Sequence, residues 1–529
     1  HDAENGPPDS LMRNNRNGTF RDVTAESGLN QNNARYSFCC AWGDFNHDGW
    51  PDLYVVNDFG RKNLYRNNRD GTFTDVAQAG KAEDLGAGMS VSWLDYDNDG
   101  ADDLYVANMW TAAGLRVSTD DAFRNESPAD VQAAYQKHAM GNSLLRNQGS
   151  AFTEQTDSSG TAIGRWAWSS DAFDFDHDGF PDLYIVNGMV SGPSRADLNS
   201  FFWRQVVANS PDKAAASREY ELGWAAINEL IRSDGTWSGY ERNIFYANNH
   251  DGTFSDVSAV VGLDFLEDGR SFAIADFDKD GRLEIALKSR SAPQLRILKN
   301  VVQQLAPSVA FRLKGKMSNP DAVGACVILE SGGKRQTQTV RVGSGFLSQH
   351  SKEIFFGLGD WQAPIQAIIR WPNGFVQELR SIPINHRIWV EEGSEPSRIE
   401  PFKHAQLVPS RERGGPESLP SRVETWLLAP MVAPEFSLPD LSGKNRTTSD
   451  FRGKPGLLHF WTSKSEDCIA QLREFDESYG RWSARGLHLL SINVDDWAQR
   501  SDPKYGLKRQ DSAALRNQKH LSFPVLHGS

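Results

Sequence analysis

Cysteine is scarce in this chain, with four among 529 residues, at positions 39, 40, 326 and 468. So few exclude a disulfide-stapled scaffold. Cys39 and Cys40 are adjacent in a strand-like run, where neighbouring side chains point to opposite faces; they and Cys326 read as buried structural thiols. Long apolar runs are also missing. None approaches the ~18 residues that a membrane-spanning helix needs, so no transmembrane segment is expected. Nor is there a basic stripe: 56 Lys and Arg stand against 69 Asp and Glu, a formal net charge of −13, which makes nucleic acid an unexpected partner. The chain opens on His1 with neither methionine nor signal peptide, as expected of a mature form or a fragment. Its length suggests three or more domains.

The acid is concentrated in four copies of one nine-residue pattern, Asp-x-Asp/Asn-x-Asp-Gly-x-x-Asp/Glu. The side chains at positions one, three, five and nine are Asp44, Asn46, Asp48 and Asp52; Asp95, Asp97, Asp99 and Asp103; Asp174, Asp176, Asp178 and Asp182; and Asp276, Asp278, Asp280 and Glu284. Carboxylates crowded into one tight turn repel one another unless a hard cation sits among them. Calcium is expected, about four ions in all, because it accepts six to eight oxygens at flexible geometry whereas magnesium demands a stricter octahedron. The position-seven carbonyls of Trp50, Ala101, Phe180 and Arg282 complete the expected ligand set, and the glycine at position six permits the sharp turn. An EF-hand is excluded, since it needs glutamate at position twelve and flanking helices. Here position twelve is Val55, Val106, Ile185 or Leu287, inside runs such as Leu53-Tyr54-Val55-Val56 that are apolar on both alternating faces. These are strands covered on both sides. With every ligand in one local loop and no nucleophile or acid–base pair beside it, the metal is expected to be structural.

Each loop belongs to a longer cassette. After loop and strand come Asn63-Leu64-Tyr65-Arg66-Asn67-Asn68 and then Asp70-Gly71-Thr72-Phe73-Thr74-Asp75-Val76, which recur as Leu145-Arg146-Asn147 with Phe152-Thr153, and as Phe245 to Asn248 with Asp251 to Val257. Asp-Gly between apolar segments signals a hairpin. One unit is therefore four strands, a propeller blade whose faces are covered by neighbouring blades. Residues 11–23 carry the second half of such a unit without the first, so either further blades precede it or it completes the last blade. Loop-to-loop spacings of 51, 79 and 102 residues place inserts near 109–141 and 188–242. In the first, Ser127-Pro128-Ala129-Asp130 predicts a capped helix over 131–139. In the second, Ser210-Pro211-Asp212 predicts a longer one to about Ile231. The inserts are the expected lid or docking surface, while the plainer reading of Phe201, Phe202 and Trp203 is that they pack onto the blades.

These repeats resemble the FG-GAP/VCBS calcium-binding blades of integrin-like propellers, and more closely those of the cartilage acidic protein family and its bacterial relatives, over roughly residues 10–300. The resemblance implies an exported, mainly β protein whose propeller spans 1–307. From 308 to 393, strand-like runs alternate with Gly343-Ser344-Gly345-Phe346-Leu347-Ser348-Gln349, Phe356-Gly357-Leu358-Gly359 and Trp371-Pro372-Asn373-Gly374. This segment resembles the ASPIC/UnbV domain, expected as a β-sandwich, with His350 and His386 as ordinary surface or turn residues. A Pro-, Ser-, Arg- and Glu-rich stretch over 394–428 reads as a linker.

Residues 429–529 form a third unit. Pro434-Glu435-Phe436, Asp450-Phe451-Arg452-Gly453-Lys454-Pro455, the strand Leu457 to Trp461 and Leu489 to Asp495 resemble an α/β redoxin/thioredoxin-like fold, incomplete at its C-terminal end. The place of C-x-x-C is taken by Ser465-Glu466-Asp467-Cys468, so a dithiol cycle within the motif is excluded. A peroxiredoxin-type alignment, P-x-x-x-T/S-x-x-C, fits Trp461-x-x-x-Ser465-x-x-Cys468 except for its proline. A cysteine in a first helical turn is favoured as thiolate, whereas Glu466 and Asp467 oppose it. Two functions compete. One is a calcium-stabilised scaffold, extracellular, cell-surface or periplasmic, that binds a protein or carbohydrate on its propeller face and is not an enzyme. The other is a thiol-dependent redox protein acting through Cys468. The intact repeats favour the scaffold.

Overall fold

The structure, a computed structural model, describes residues 3–193, 196–211, 215–361, 364–404, 435–463, 465–494 and 521–527, without the side chains of residues 466, 467 and 527. It is mainly β, with 35% strand and 16% helix, and forms two units, His1–Ser421 and Arg422–Ser529.

The first unit opens with a two-stranded sheet, β1 (Met12–Asn14) and β2 (Phe20–Asp22). Three four-stranded antiparallel meanders follow: β3 (Ser37–Gly43) to β6 (Phe73–Asp75) through β4 (Asp52–Asn57) and β5 (Asn63–Asn67); β7 (Ala87–Leu94), β8 (Asp103–Met109), β9 (Ser143–Asn147) and β10 (Phe152–Glu154); and β11 (Ala167–Phe173), β12 (Asp182–Asn187), β13 (Ile244–Asn248) and β14 (Phe254–Asp256). A fourth sheet has three strands, β15 (Gly269–Ala275), β16 (Glu284–Ser289) and β17 (Leu295–Leu298). The second strand of each follows directly from an acidic loop. Its doubly apolar sequence is explained by stacking: Tyr54, Val56, Trp93 and Val106 share one core, Tyr105, Leu144, Ile185 and Tyr246 the next, and Tyr184, Phe245, Phe272 and Leu287 the third. Among the described residues no strand pairing joins the fourth sheet to the first or to β1–β2. Completion of the last sheet by residues 11–23 is therefore not what forms: β17 already holds the third-strand position there.

The inserts pack on each other as much as on the sheets. A helix covers Ala129–Ala139, starting after Pro128. The longer helix begins at Arg218, not near Pro211, because Ser217 supplies the cap through its hydroxyl, which accepts from Tyr220 N; residues 212–214 lie outside the described set. Trp203 is buried against Val117, Phe123 and Tyr135 of the first insert, and Phe201 and Phe202 pack near Trp166, Ile227 and Trp237. These aromatics thus pack chiefly within and between the inserts, Trp203 buried and Phe201 and Phe202 half-buried, and not simply onto the blades as the plainer reading expected.

Still within this unit, β18 (Ser308–Lys314), β19 (Cys326–Ser331), β20 (Lys334–Thr339), β21 (Ile354–Gly357), β22 (Ile365–Arg370), β23 (Val376–Ile382), β24 (His386–Glu391) and β25 (Arg398–Pro401) form two four-stranded sheets, β21-β18-β24-β25 and β20-β19-β22-β23, around one core that includes Phe311, Val327, Phe356 and Ile369. Residues 398–401, expected in the linker, are a strand paired with β24; beyond residue 404 the linker lies outside the described residues. The second unit holds the hairpin β26 (Ser437–Pro439) and β27 (Asn445–Thr447), and a parallel sheet of β28 (Gly456–Trp461), β29 (His488–Asn493) and β30 (Val525–His527), with a helix over Glu466–Ala484. Asp495 lies outside the described residues.

Candidate metal loops and the Cys468 turn

All four acidic loops fold alike. Position four is left-handed in each (His47, Asn98, His177 and Lys279, φ from 54° to 67°), as is the position-six glycine (Gly49, Gly100, Gly179 and Gly281, φ from 80° to 94°). The glycine amide donates to the position-one carboxylate at 2.8–3.0 Å (Asp44, Asp95, Asp174 and Asp276). The amides of Trp50, Ala101, Phe180 and Arg282 donate to the position-five carboxylates Asp48, Asp99, Asp178 and Asp280 at 2.8–3.1 Å. Position nine ties the loop to the sheet: Asp52, Asp103 and Asp182 each accept the backbone N–H of the asparagine that ends the third strand, Asn67, Asn147 or Asn248, at 2.7–2.9 Å. Glu284 accepts from Phe277 N at 2.8 Å.

The carboxylates converge. Ligand oxygens of Asp95, Asp97 and Asp99, of Asp174, Asp176 and Asp182, and of Asp276, Asp278 and Glu284 lie within 4.8 Å of one another in each group. The first loop, with Asn46 at position three, offers one carboxylate fewer; Asn46 Oδ1 accepts from Asp48 N at 3.2 Å. Asp95 (7% exposed), Asp174 (6%) and Glu284 (3%) each keep one buried carboxylate oxygen with no hydrogen-bond partner among the described residues. Burial first, then neighbouring carboxylates, pushes Asp95 up to about 7, Asp103 to about 9 and Glu284 to about 8, with Asp174 and Asp182 also raised well above the carboxylate range. Buried anions without partners are costly, and oxygen-only donors grouped this way suit a hard divalent ion. Cations of the chain reach the rims: Arg69 is 3.0 Å from Asp48, Arg146 2.6 Å from Asp97, and Lys299 3.0 Å from Asp280.

The β18–β25 domain docks on these loops, which the sequence did not reveal. Gly359 N donates to His177 O at 2.8 Å, and a Cβ at Gly357 would sit 2.0 Å from Asp174 Oδ2. Arg387 is 2.7 Å from both Asp276 and Glu353, with its guanidinium buried. The glycine-rich stretch 343–349 seats between the sheets: Phe346 N donates to Ser169 Oγ at 3.0 Å, its ring lies 5.2 Å from Trp168, and Cys39 Sγ is 3.2 Å from Gly345 O. His350 is no surface residue. Its Nε2 lies 3.1 Å from Asp171, and both side chains line a cavity of about 190 Å³ together with Arg341 and Thr337. His386 does sit beside a turn, its Nδ1 2.6 Å from Ile384 O. All four cysteines are free; Cys326 in β19 is only half-buried, and in β3 Cys39 is half-buried and Cys40 exposed, because β3 presents one face to the second sheet and the other outward.

In the second unit Cys468 sits in the first turn of the Glu466–Ala484 helix, where the Ser465 hydroxyl caps by accepting from Cys468 N at 3.3 Å. The residue is half-buried, packed near Trp461, Leu472 and Phe523. His459 of the adjoining sheet is committed to Ser491 and Gln471 at 3.0 Å each. Among the described residues no His, Lys or Arg side chain hydrogen-bonds the Cys468 thiol.

Known families match along the chain. The FG-GAP-like repeat matches residues 3–55, 44–106 and 230–287, ASPIC and UnbV matches 315–397, and the AhpC/TSA family matches 431–529. The third acidic loop falls outside the matched repeats, although β11–β14 build the same sheet. Cartilage acidic protein 1 of Mus musculus is 26% identical over 277 residues, 50% of this chain and 41% of that protein. The thiol-disulfide oxidoreductase ResA of Geobacillus thermodenitrificans is 33% identical over 95 residues, 18% of this chain and 48% of that protein. Peroxiredoxin Q, chloroplastic, of Gentiana triflora is 29% identical over 125 residues, 23% of this chain and 53% of that protein. The chain spans about half the length of the curated relatives it matches. It carries FG-GAP repeats, an ASPIC/UnbV domain and an AhpC/TSA redoxin domain in that order, and over half its length it is a homologue of cartilage acidic protein 1.

Proposed function

We propose that the first unit is a calcium-stabilised scaffold of propeller type, working outside the cytosol and binding a protein or carbohydrate partner. One observation carries it: Asp95, Asp174 and Glu284 bury carboxylate oxygens that find no hydrogen-bond partner among the described residues. The ions would be held by Asp44, Asn46, Asp48 and Asp52 and by their counterparts in the other three loops. Bound calcium supplies positive charge that offsets the clustered carboxylates. The chain does the rest: the position-nine acids Asp52, Asp103 and Asp182 fix the first three loops to their third strands, and the β18–β25 domain lies against loops three and four. Affinities of roughly 10⁻⁴ to 10⁻³ M, usual for extracellular calcium modules, favour a compartment where calcium is abundant. The partner reading is supported by the repeat type, which is frequent in protein-binding domains. Calorimetric titration with calcium tests the site assignment. Three to four ions per chain are expected, and Asp174→Ala should remove one; no heat of binding up to 10 mM would end it.

The AhpC/TSA match, and the likeness to oxidoreductases, weigh against a scaffold alone. A second reading therefore stands for the second unit: thiol chemistry at Cys468, favoured by its place in a capped first turn. The thiolate would attack one oxygen of hydrogen peroxide. The O–O bond would break, leaving a sulfenic acid on sulfur and water after protonation, and two external thiols would restore Cys468 with release of their disulfide and water. Mass spectrometry after a peroxide pulse checks this. Sulfenate that forms much faster than on a free thiol and disappears in Cys468→Ser supports it, and a rate equal to that of a free thiol removes it.

A further inference from the structure

In the second and fourth acidic loops, the carboxylate oxygens at positions three and five are of two kinds. One oxygen of each faces the loop's own backbone. Asp97 Oδ1 accepts from Asp99 N at 3.3 Å and Asp99 Oδ1 from Ala101 N at 2.9 Å; likewise Asp278 Oδ1 accepts from Asp280 N at 3.3 Å and Asp280 Oδ1 from Arg282 N at 3.1 Å. The other oxygen, Oδ2, is left for a cation, and in both loops it has one. Arg146 Nη2 lies 2.6 Å from Asp97 Oδ2 and 3.0 Å from Asp99 Oδ2. Lys299 Nζ donates to Asp278 Oδ2 and lies 3.0 Å from Asp280 Oδ2. An arginine and a lysine thus bridge the same pair of atoms in two different loops.

The third strand delivers these bases. Arg146 precedes Asn147, whose backbone N–H is held by the position-nine acid Asp103, and Lys299 follows directly on β17. In the first and third loops the turn after the third strand plays this part, with Arg69 and His250 two residues beyond Asn67 and Asn248. Arg69 Nη2 is 3.0 Å from Asp48 Oδ2, and His250 Nε2 is 2.5 Å from Asp178 Oδ2; there the contact is with position five. The bases do not complete the sites. Asp95 Oδ1 and Glu284 Oε1, at positions one and nine of loops two and four, stay buried with no hydrogen-bond partner among the described residues.

We infer that Arg146 and Lys299 are tethered rivals of calcium: each neutralises positions three and five of its loop in the metal-free chain, and gives up those oxygens when the ion takes them. The inference rests on the calcium reading above and concerns the regulation of those sites. Carboxylates that would repel one another are held together by the internal cation, so loops two and four keep their shape without metal. The same contact weakens the ion's hold, because binding exchanges one set of charge-assisted bonds for another instead of filling a bare ring of anions. A site balanced in this way empties as calcium falls while its loop stays folded.

The full chain is titrated with calcium from about 10 μM to 10 mM while hydrogen exchange is followed over residues 95–103 and 276–284, so that each loop reports its own midpoint. In Lys299→Met the loop-four midpoint is expected to move to lower calcium by on the order of threefold or more, with loop two unmoved. Arg146→Met should shift loop two in the same way and leave loop four alone, and it carries the test if Lys299→Met folds poorly. Lys299→Arg keeps the charge and should stay within about twofold of the wild type. Without calcium both Met variants should melt below the wild type, and calcium should raise their melting midpoints by more. Calcium midpoints that are unchanged in the Met variants, or that move to higher calcium, overturn the inference while the calcium reading stands. No calcium-dependent protection in either loop of any of these proteins ends the calcium reading itself, and this inference with it.

Discussion

Removal of calcium is the perturbation with the largest expected effect on the first unit. Each loop that binds only in the folded state adds RT ln(1 + [Ca]/Kd); at 1 mM calcium and a Kd of roughly 10⁻⁴ M this is about 1.4 kcal/mol per site. The three carboxylate triplets alone give about 4 kcal/mol, and the first loop, with Asn46 in place of an acid, brings the sum to at most about 6 kcal/mol. At about 2.1 cal/mol/K per residue, a cooperative unit of roughly 400 residues has a melting entropy near 0.8 kcal/mol/K. The shift expected on adding EGTA is therefore about 5–7 °C downward. Differential scanning calorimetry reads it, with the 35% strand content followed by circular dichroism to assign the transition. Calcium in excess should restore the midpoint, and magnesium at the same concentration should restore less than half. A midpoint unmoved by EGTA, or equal rescue by magnesium, would refute the assignment of these loops to calcium.

Other outcomes follow from single contacts. Asn248→Ala removes donors to Tyr96 O at 2.9 Å and Pro181 O at 3.2 Å, unpairing carbonyls between the second and third sheets. A loss of about 1–3 kcal/mol is expected by urea denaturation. Arg387→Met leaves Asp276 and Glu353 without their buried partner, each 2.7 Å from the guanidinium, and should cost about 3–5 kcal/mol by the same assay in the absence of calcium. His138 is buried against Phe59 with Nδ1 3.0 Å from Leu85 O, and burial holds it down at about 3. The unfolded chain, with an ordinary histidine near 6.5, binds the extra proton first. Its contribution to stability is thus complete above about pH 6.5 and is lost as pH falls from there toward 3, at up to about 1.4 kcal/mol per pH unit. In His138→Gln the slope of stability against pH over that window should fall by about one proton; an unchanged slope would show that His138 is not the group responsible.

The acidic loops were legible in the sequence because every ligand of a site lies within nine residues and the special backbone positions carry glycine. The strands after them were legible because stacking on both faces leaves no polar alternation. Helix starts in the second insert were not legible. Ser210-Pro211 and Ser217 both offer caps, and the outcome depends on how Ile227 and Trp224 pack against Phe202 and Trp237, which are long-range partners no local pattern records. The burial of Cys40 was misjudged for the same reason, since it depends on which side of the first sheet has a neighbour.

The least legible feature is the role of residues 341–351. As sequence they are a glycine-rich signature with a lone histidine; as structure they bring Arg341 to Asp102 at 2.5 Å, Phe346 to Trp168, and His350 to Asp171. One segment thereby touches the second and third sheets, and its last residue, Ser351, donates its N–H to Ile274 O of the fourth at 2.9 Å. A meander sheet can tilt on its neighbour, since stacked apolar faces are non-directional; hydrogen bonds from one rigid loop to three sheets fix their relative angle. The acidic loops hold each sheet to itself, the Asn147, Asn248 and Asn300 side chains hold each sheet to the one before through Phe45, Tyr96 and Phe175 carbonyls at 2.6–2.9 Å, and the 341–351 loop sets the set of them together. Deleting the loop's grip with Arg341→Ala should then loosen sheet–sheet contacts while leaving each sheet intact. Hydrogen exchange distinguishes the two. Faster exchange confined to Trp93, Ser169 and Ile274 and their neighbours is the expected pattern, whereas uniform acceleration across β7–β17 would mean that the loop contributes only general stability.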